Sequence, residues 1–152
     1  MDTVDIIDRY IKKVISENPF ITGIILFGSI ARGEERERSD IDLLVLWDDL
    51  QVDPDERHVY IYKAVSKHFP PSTSLTVIDM KYTDFLKTEK VTSLFLNVVY
   101  DGIVLYDKHG KLKSFLSKVK KELERKGVKR VKIGKYYYWK LPKAGGKIEL
   151  KV

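Results

Sequence analysis

Two aspartates separated by one residue, Asp40 and Asp42, stand at the start of an apolar run, "IDLLVLW" (41–47). On a β-strand, alternate side chains project from one face, so both carboxylates should lie on the same side of a sheet. Ionised carboxylates so close together repel each other, and in a half-buried site a bound cation relieves the cost. The pair therefore predicts a site for a hard divalent ion such as Mg²⁺, whose coordination shell phosphate oxygens can complete.

A glycine–serine pair, Gly28-Ser29, ends the preceding apolar run, "FITGIILF" (20–27). Glycine permits a tight turn and a close backbone approach, and serine adds a hydroxyl and an exposed N–H. If a helix begins at this point, its first amides are suited to bind a nucleotide's terminal phosphates. Arg32 is a candidate to pair with a phosphate, although a solvent-exposed position explains it equally well. The following residues, 34–38, are predicted to form a solvated loop.

A third carboxylate, Asp79, interrupts the apolar run "LTVIDM" (75–80). If the strand over 74–80 is next to the strand over 41–47, Asp79 joins the other two carboxylates. Three carboxylates can hold two metal ions for an in-line phosphoryl or nucleotidyl transfer. The alternative is that Asp79 only ends a strand.

The elements that position these residues are predicted from hydrophobic periodicity and from capping residues. Their order predicts an α/β fold, with a short mixed β-sheet and helices packed against it. The predicted helices cover 3–17, 53–69, 83–88, 91–100 and 110–126, the predicted strands cover 20–27, 41–47, 74–80 and 103–106, and short strands with turns at Gly134 and Gly145-Gly146 follow.

Composition limits the classes of function. The 152 residues contain no cysteine, which excludes disulfides and thiolate chemistry, and the three histidines share no zinc-ligand spacing. No membrane span or signal peptide is predicted, so a cytoplasmic location is expected. Residues 1–106 carry 12 Lys/Arg against 18 Asp/Glu, whereas residues 107–152 carry 16 against 4. This contrast predicts an acidic domain over 1–107 and a basic C-terminal appendage, a helix followed by short strands, over 108–152.

The motif Gly28-Ser29, ten residues, then Asp40-x-Asp42 resembles the signature of the nucleotidyltransferase superfamily that includes DNA polymerase β and the kanamycin nucleotidyltransferases. The stretch "LFGSIARGEERERSDIDLLV" is most similar to the small archaeal and bacterial minimal nucleotidyltransferases, and "YDGIVLYD" (100–107) is similar to their closing segment. The resemblance covers about residues 3–107. It implies that Gly28 and Ser29 bind a nucleoside triphosphate, that Asp40 and Asp42 hold two Mg²⁺ ions, and that Asp79 completes a metal site or activates the acceptor. The implied activity is transfer of a nucleotidyl group from a nucleoside triphosphate to a hydroxyl, with release of pyrophosphate. The expected nucleotide is ATP, so the expected group is AMP.

Two other functions remain open at the level of sequence. In several proteins of this kind the minimal domain pairs with a HEPN partner, which implies an antitoxin-like or non-catalytic nucleotide-binding protein. The basic C-terminal segment, with the aromatic run Tyr136 to Trp139 among lysines, suggests instead an accessory protein that binds nucleic acid. The same segment also suits a hairpin with one packed face and one solvated face, or a surface that binds an acidic protein. The acceptor itself, whether a protein hydroxyl, an RNA 3′ end or a small molecule, is not chosen by the sequence.

Overall fold

The computed structural model describes residues 2–35 and 39–142. The strands are β1 (Ile21–Phe27), β2 (Ile41–Trp47), β3 (Leu75–Lys81), β4 (Ile103–Asp107), β5 (Lys129–Ile133) and β6 (Tyr136–Lys140). The helices are α1 (Thr3–Glu17), α2 (Gly28–Ala31), α3 (Pro54–Ser66), α4 (Tyr82–Leu86), α5 (Ser93–Asp101) and α6 (Leu112–Arg125).

Four strands form one mixed sheet in the order β3-β2-β1-β4. Strand β1 pairs antiparallel with both β2 and β4, and β2 pairs parallel with β3. All seven residues of β1 are buried, as a central strand covered on both faces requires. The predicted α/β fold with a short mixed sheet is confirmed.

The sheet separates two apolar layers. Helices α1 and α3 cover one face, where Ile11 and Ile61 belong to the same buried apolar cluster as Leu43 and Val45 of β2. Helices α4, α5 and α6 cover the other face, which takes the alternate residues of β2, beginning with Leu44. Because side chains alternate along a strand, each residue of β2 is assigned to one layer by its position alone.

The predicted boundaries agree with the observed ones to within three residues. Asp53 accepts a hydrogen bond from the amide of Asp55 at 3.1 Å, so it caps α3 as its sequence context predicted. Gly134 lies between β5 and β6 with a positive φ of 61°, as expected of a tight turn. The turn predicted at Gly145-Gly146 lies outside the described residues.

The basic helix α6 is part of the main core. Its apolar face packs beside Phe85 of α4 and Phe95 of α5, and the Phe115 ring centroid lies 5.3 Å from that of Phe85. Asp107 at the end of β4 accepts a hydrogen bond at 2.9 Å from the amide of Leu112, which fixes the start of the helix. None of the helices described has the length and hydropathy that a bilayer crossing needs. The buried residues of α6 are Leu112, Phe115, Leu116, Val119 and Leu123.

Truncation tests the division predicted at residue 107. A chain ending at Asp107 would expose the core surface that α6 covers, and each fully buried Leu or Phe contributes about 1.5–3 kcal/mol. The loss is comparable with the 5–15 kcal/mol total stability of a typical domain. We expect the 1–107 chain to lose cooperative thermal unfolding by circular dichroism, whereas a chain ending at Pro142 should keep it. A cooperative transition in the 1–107 chain would show that the first 107 residues fold independently of α6.

Candidate active site

The two aspartates of the Asp40-x-Asp42 motif lie at the start of β2, on the face that α5 and α6 cover. Asp42 is in register with Phe27, the last residue of β1, so it stands directly beside the turn that follows β1. Two hydroxyls of the β3 region accompany the pair. The Ser74 hydroxyl donates to Asp40, and a hydrogen bond from Thr76 reaches Asp42.

Gly28 is the residue that allows this arrangement. Its φ is +80°, and a Cβ added there would lie 2.1 Å from Oδ2 of Asp42. Any other side chain would therefore collide with the carboxylate and would also adopt a strained backbone conformation. The turn of α2 thus lies directly against Asp42, with Ser29 as its next residue.

Electrostatics make the pair costly in the absence of a cation. Burial, and then the neighbouring charge of Asp40, raise the pKa of the Asp42 carboxyl above its usual value, although the hydrogen bond from Thr76 partly offsets the rise. A carboxylate with a raised pKa holds its charge at the expense of folding free energy at neutral pH. A bound divalent cation reverses the sign of this effect because it stabilises the ionised form.

Asp79 does not join the pair, so the predicted convergence of three carboxylates is wrong. Strand β3 does lie beside β2, but Asp79 is in register with Val45, three residues beyond Asp42 and therefore about 10 Å along the strand. An odd number of residues also places its side chain on the opposite face. There it accepts a hydrogen bond from Trp47 Nε1 at 3.3 Å and lies 3.2 Å from Nδ1 of His58.

Arg32 is close to the site, but its guanidinium is engaged by protein carboxylates. Nη1 donates to Oδ2 of Asp101 at 2.9 Å, and Nε lies 3.6 Å from Oε2 of Glu34. The Tyr137 ring covers the same guanidinium, 5.0 Å from ring centroid to Cζ. Glu34 also accepts a hydrogen bond from Tyr137, so it is part of a contact network, although the sequence placed it in a solvated loop; residues 36–38 of that loop lie outside the described residues.

Sequence reasoning missed the hydroxyls of Ser74 and Thr76. Their spacing repeats that of Asp40 and Asp42, and β2 and β3 pair in parallel with Asp42 opposite Thr76. The signal was present as alternating polar residues at the start of "SLTVIDM". The register of the two strands was needed to use it.

The donor set fits a hard cation held by two carboxylates. Asp40 and Asp42 supply carboxylate oxygens on one face beside the Gly28-Ser29 turn, and oxygen ligands are what Mg²⁺ prefers when phosphates complete its shell. Across residues 2–35 and 39–142, no three Asp, Glu, His or Cys side chains gather closely enough to form a cage of protein ligands. Water molecules and the phosphates of a nucleotide would supply the remaining ligands.

Replacing Gly28 tests its contact with Asp42, and Gly33 is a matched control. Gly33 also has a positive φ, of 73°, but a Cβ there would meet nothing within 4 Å. Both Gly→Ala changes should cost the backbone strain of about 1–2 kcal/mol. Gly28→Ala should cost about 1–3 kcal/mol more in urea unfolding because of the collision. That excess should disappear in an Asp42→Ala background, and an excess that persists there would contradict the assigned contact.

Replacing Asp42 by asparagine should stabilise the cation-free protein at neutral pH. Since its folded-state pKa is raised, the aspartate loses stability as pH rises from the unfolded pKa through the folded pKa, and the penalty persists above that range. The thermal midpoint of Asp42→Asn should exceed that of the wild type at pH 7, and the gap should close below about pH 4. Added Mg²⁺ should raise the wild-type midpoint more than the variant's. A gap that does not change with pH would contradict the electrostatic origin.

Comparison with known proteins identifies the family of this chain. Residues 9–111 match the family described as "Polymerase beta, Nucleotidyltransferase". MJ1305 of Methanocaldococcus jannaschii, named as an inferred protein adenylyltransferase, is 27% identical over 139 residues, which are 90% of this chain and 92% of MJ1305. MJ1215 of the same organism, with the same description, is 53% identical over 34 residues, 22% of this chain and 40% of its own length.

A solved structure shares the fold. A crystal structure of a toxin–antitoxin with AMP-PNP has a TM-score of 0.52 at 22% sequence identity, and the match covers 78% of this chain and 87% of that one. The family match spans well over half of the chain, and it contains the Gly28-Ser29 turn and the Asp40-x-Asp42 strand. This chain therefore belongs to the polymerase β nucleotidyltransferase family and is a nucleotidyl-transferring enzyme.

Proposed function

We propose that this enzyme transfers an adenylyl group from ATP to a protein hydroxyl and releases pyrophosphate, with Mg²⁺ bound by Asp40 and Asp42. The observation that carries the proposal is the placement of both carboxylates on one face of β2, with Gly28 packed against Asp42. The choice of ATP and of a protein acceptor is supported by the similarity to MJ1305 and by its name.

The side chains of this protein have separate tasks in the proposed reaction. Asp40 and Asp42 hold the cation, and Ser29 and the Gly28 backbone receive the terminal phosphates. The cation would neutralise charge that develops on the phosphate oxygens. Ser74 and Thr76 keep the two carboxylates oriented by hydrogen bonds.

The bonds change at the α-phosphorus of ATP. The acceptor oxygen attacks that phosphorus, the bond from it to the bridging oxygen of pyrophosphate breaks, and the hydroxyl proton is released. Asp79 takes no part in this proposal, since it lies on the opposite face of the sheet.

An antitoxin-like protein is the second candidate. The fold likeness to a toxin–antitoxin structure supports it. From the resemblance to the minimal nucleotidyltransferases, the protein acceptor would then be a HEPN-type partner. This candidate keeps the same site and changes only the acceptor. The third hypothesis is that the basic end of the chain binds nucleic acid. Neither the family match nor these relatives support it.

Isotope placement tests the reaction. We expect label from the α-phosphate of ATP to enter protein in a cell extract when Mg²⁺ is present, whereas label in the γ-phosphate should leave as pyrophosphate. Asp40→Asn and Asp42→Asn should each lower this incorporation by roughly a hundredfold or more. Transfer of γ-label would show phosphoryl transfer, and tight ATP binding without transfer to any acceptor, a HEPN protein included, would favour a non-catalytic role.

Asp79→Asn is the matched carboxylate control. It removes the same charge from the adjacent strand, and we expect transfer to stay within about twofold of the wild type because the side chain is remote from Asp42. Thermal unfolding should be measured beside it, since Asp79 accepts a hydrogen bond from Trp47. A loss of transfer in a stably folded Asp79→Asn protein, equal to that of Asp42→Asn, would overturn the two-carboxylate site.

A further inference from the structure

The C-terminal hairpin of β5 and β6 is fixed to the nucleotidyltransferase body by a buried carboxylate. Asp101, whose side chain is 3% exposed, accepts hydrogen bonds from Arg130 of β5 at 2.6 and 2.8 Å, and from Arg32 at 2.9 Å. A two-pronged arginine–carboxylate pair fixes orientation as well as distance. Because Arg32 directly follows α2, its shared contact with Asp101 fixes the position of the hairpin relative to the Gly28-Ser29 turn.

The inward aromatic residues of β6 strengthen this attachment. Trp139 Nε1 donates to Oδ1 of Asn97 at 3.1 Å, and its ring centroid lies 4.8 Å from that of Tyr100. The Tyr137 ring lies about equally near two guanidiniums, at 5.0 Å from Arg32 and 5.1 Å from Arg130. Half of the aromatic run is thus committed to packing, whereas Tyr136 and Tyr138 point outward, with exposures of 70% and 45%.

The tip of the hairpin closes one side of a cleft at the proposed phosphate site. The cleft has a volume of about 280 Å³. Ser29 and Ser39 line one part of it, and Ser39 directly precedes Asp40 in the chain. Lys135 and Tyr136 of the hairpin tip line the other part. The complete lining is Ser29, Arg32, Glu34, Ser39, Lys135 and Tyr136.

The charges of the cleft suit an anionic ligand, and the cation available to bind it is Lys135 at the hairpin tip. The guanidinium of Arg32 is already balanced by Asp101 and Glu34. The ammonium of Lys135 instead lies 5.7 Å from the ring centroid of Tyr136, at the cleft. A lysine next to an exposed ring offers a cation for phosphate oxygens and a flat surface for a base.

We propose that Lys135 and Tyr136 are part of the nucleotide site, where Lys135 binds the triphosphate and the Tyr136 ring stacks on the base. This inference rests on the proposed function and deepens it. Lys135 takes the role that sequence spacing had offered to Arg32. The basic end of the chain then serves the enzyme's own substrate site.

Binding measurements with two probes separate the two roles. Mg²⁺–ATP contains phosphates and a base, whereas Mg²⁺–tripolyphosphate contains phosphates alone. By calorimetry, Lys135→Ala should weaken both probes roughly tenfold. Tyr136→Ala should weaken ATP roughly tenfold and leave tripolyphosphate unchanged, and Tyr136→Phe should bind ATP like the wild type because the ring is retained.

The chain offers matched controls for each change. Lys113→Ala removes the same charge from the exposed side of α6, and Tyr138→Ala removes the next outward ring of β6; both should bind ATP with wild-type affinity. Thermal midpoints close to that of the wild type would exclude misfolding, and a variant that fails this check is replaced by Lys135→Gln or Tyr136→Leu.

Three outcomes would overturn the inference. Wild-type ATP affinity in both Lys135→Ala and Tyr136→Ala would remove the hairpin from the nucleotide site. Unchanged affinity with lost transfer would assign the tip to the acceptor. If Lys113→Ala weakened ATP binding as much as Lys135→Ala does, the loss of affinity would be explained by the change in net charge. In each case the loss of transfer in Asp42→Asn still tests the proposed function separately.

Discussion

The contact between Gly28 and Asp42 is the constraint on which the site depends. A turn with positive φ lies against the side chain of a carboxylate, with no room for a Cβ between them. The contact places the turn that follows β1 beside the start of β2, so phosphate-binding groups and metal-binding groups meet at one edge of the sheet. The antiparallel pairing of the two strands, with Phe27 opposite Asp42, makes this contact possible.

The same contact has an energetic cost that the fold accepts. Packing the turn against Asp42 removes water from it, and Asp40 adds a like charge nearby, so the carboxyl has a raised pKa. In such a site the ionised carboxylates destabilise the folded protein until a bound cation neutralises their charge, and phosphates then complete the coordination of the cation. The apolar layers on both faces of β1 and β2 supply the stability that offsets this local cost.

Asp101 has a comparable role for the basic end of the chain. It is a buried carboxylate that contacts one arginine beside the α2 turn and another in β5. Removal of Asp101 would take from both arginines the buried carboxylate that they share, so the network favours one position for the hairpin. Part of the positive charge of the C-terminal segment, that of Arg130, is therefore neutralised by an ion pair inside the protein.

The sequence by itself determined the elements and the first half of the site. Apolar periodicity and capping residues located the helices α1, α3, α4, α5 and α6 and the four strands of the sheet, because burial on a helix stripe or a sheet face leaves a period in the sequence. The short helix α2 was only considered as a condition for phosphate binding at Gly28. The spacing of Gly28-Ser29 and Asp40-x-Asp42 indicated a carboxylate pair beside a turn, since these contacts are made by consecutive elements.

Only the tertiary structure decided what depends on register and on distant contacts. The parallel pairing of β2 with β3 places Thr76, not Asp79, opposite Asp42. Asp79 lies an odd number of residues after Thr76 on β3, so its side chain is on the opposite face of the sheet. The pairing of Arg32 with Asp101 joins residues 69 positions apart, and Ser29 and Lys135, which are still further apart in sequence, line one cleft. Local patterns record which face a residue buries, but they do not record which distant residue it meets there.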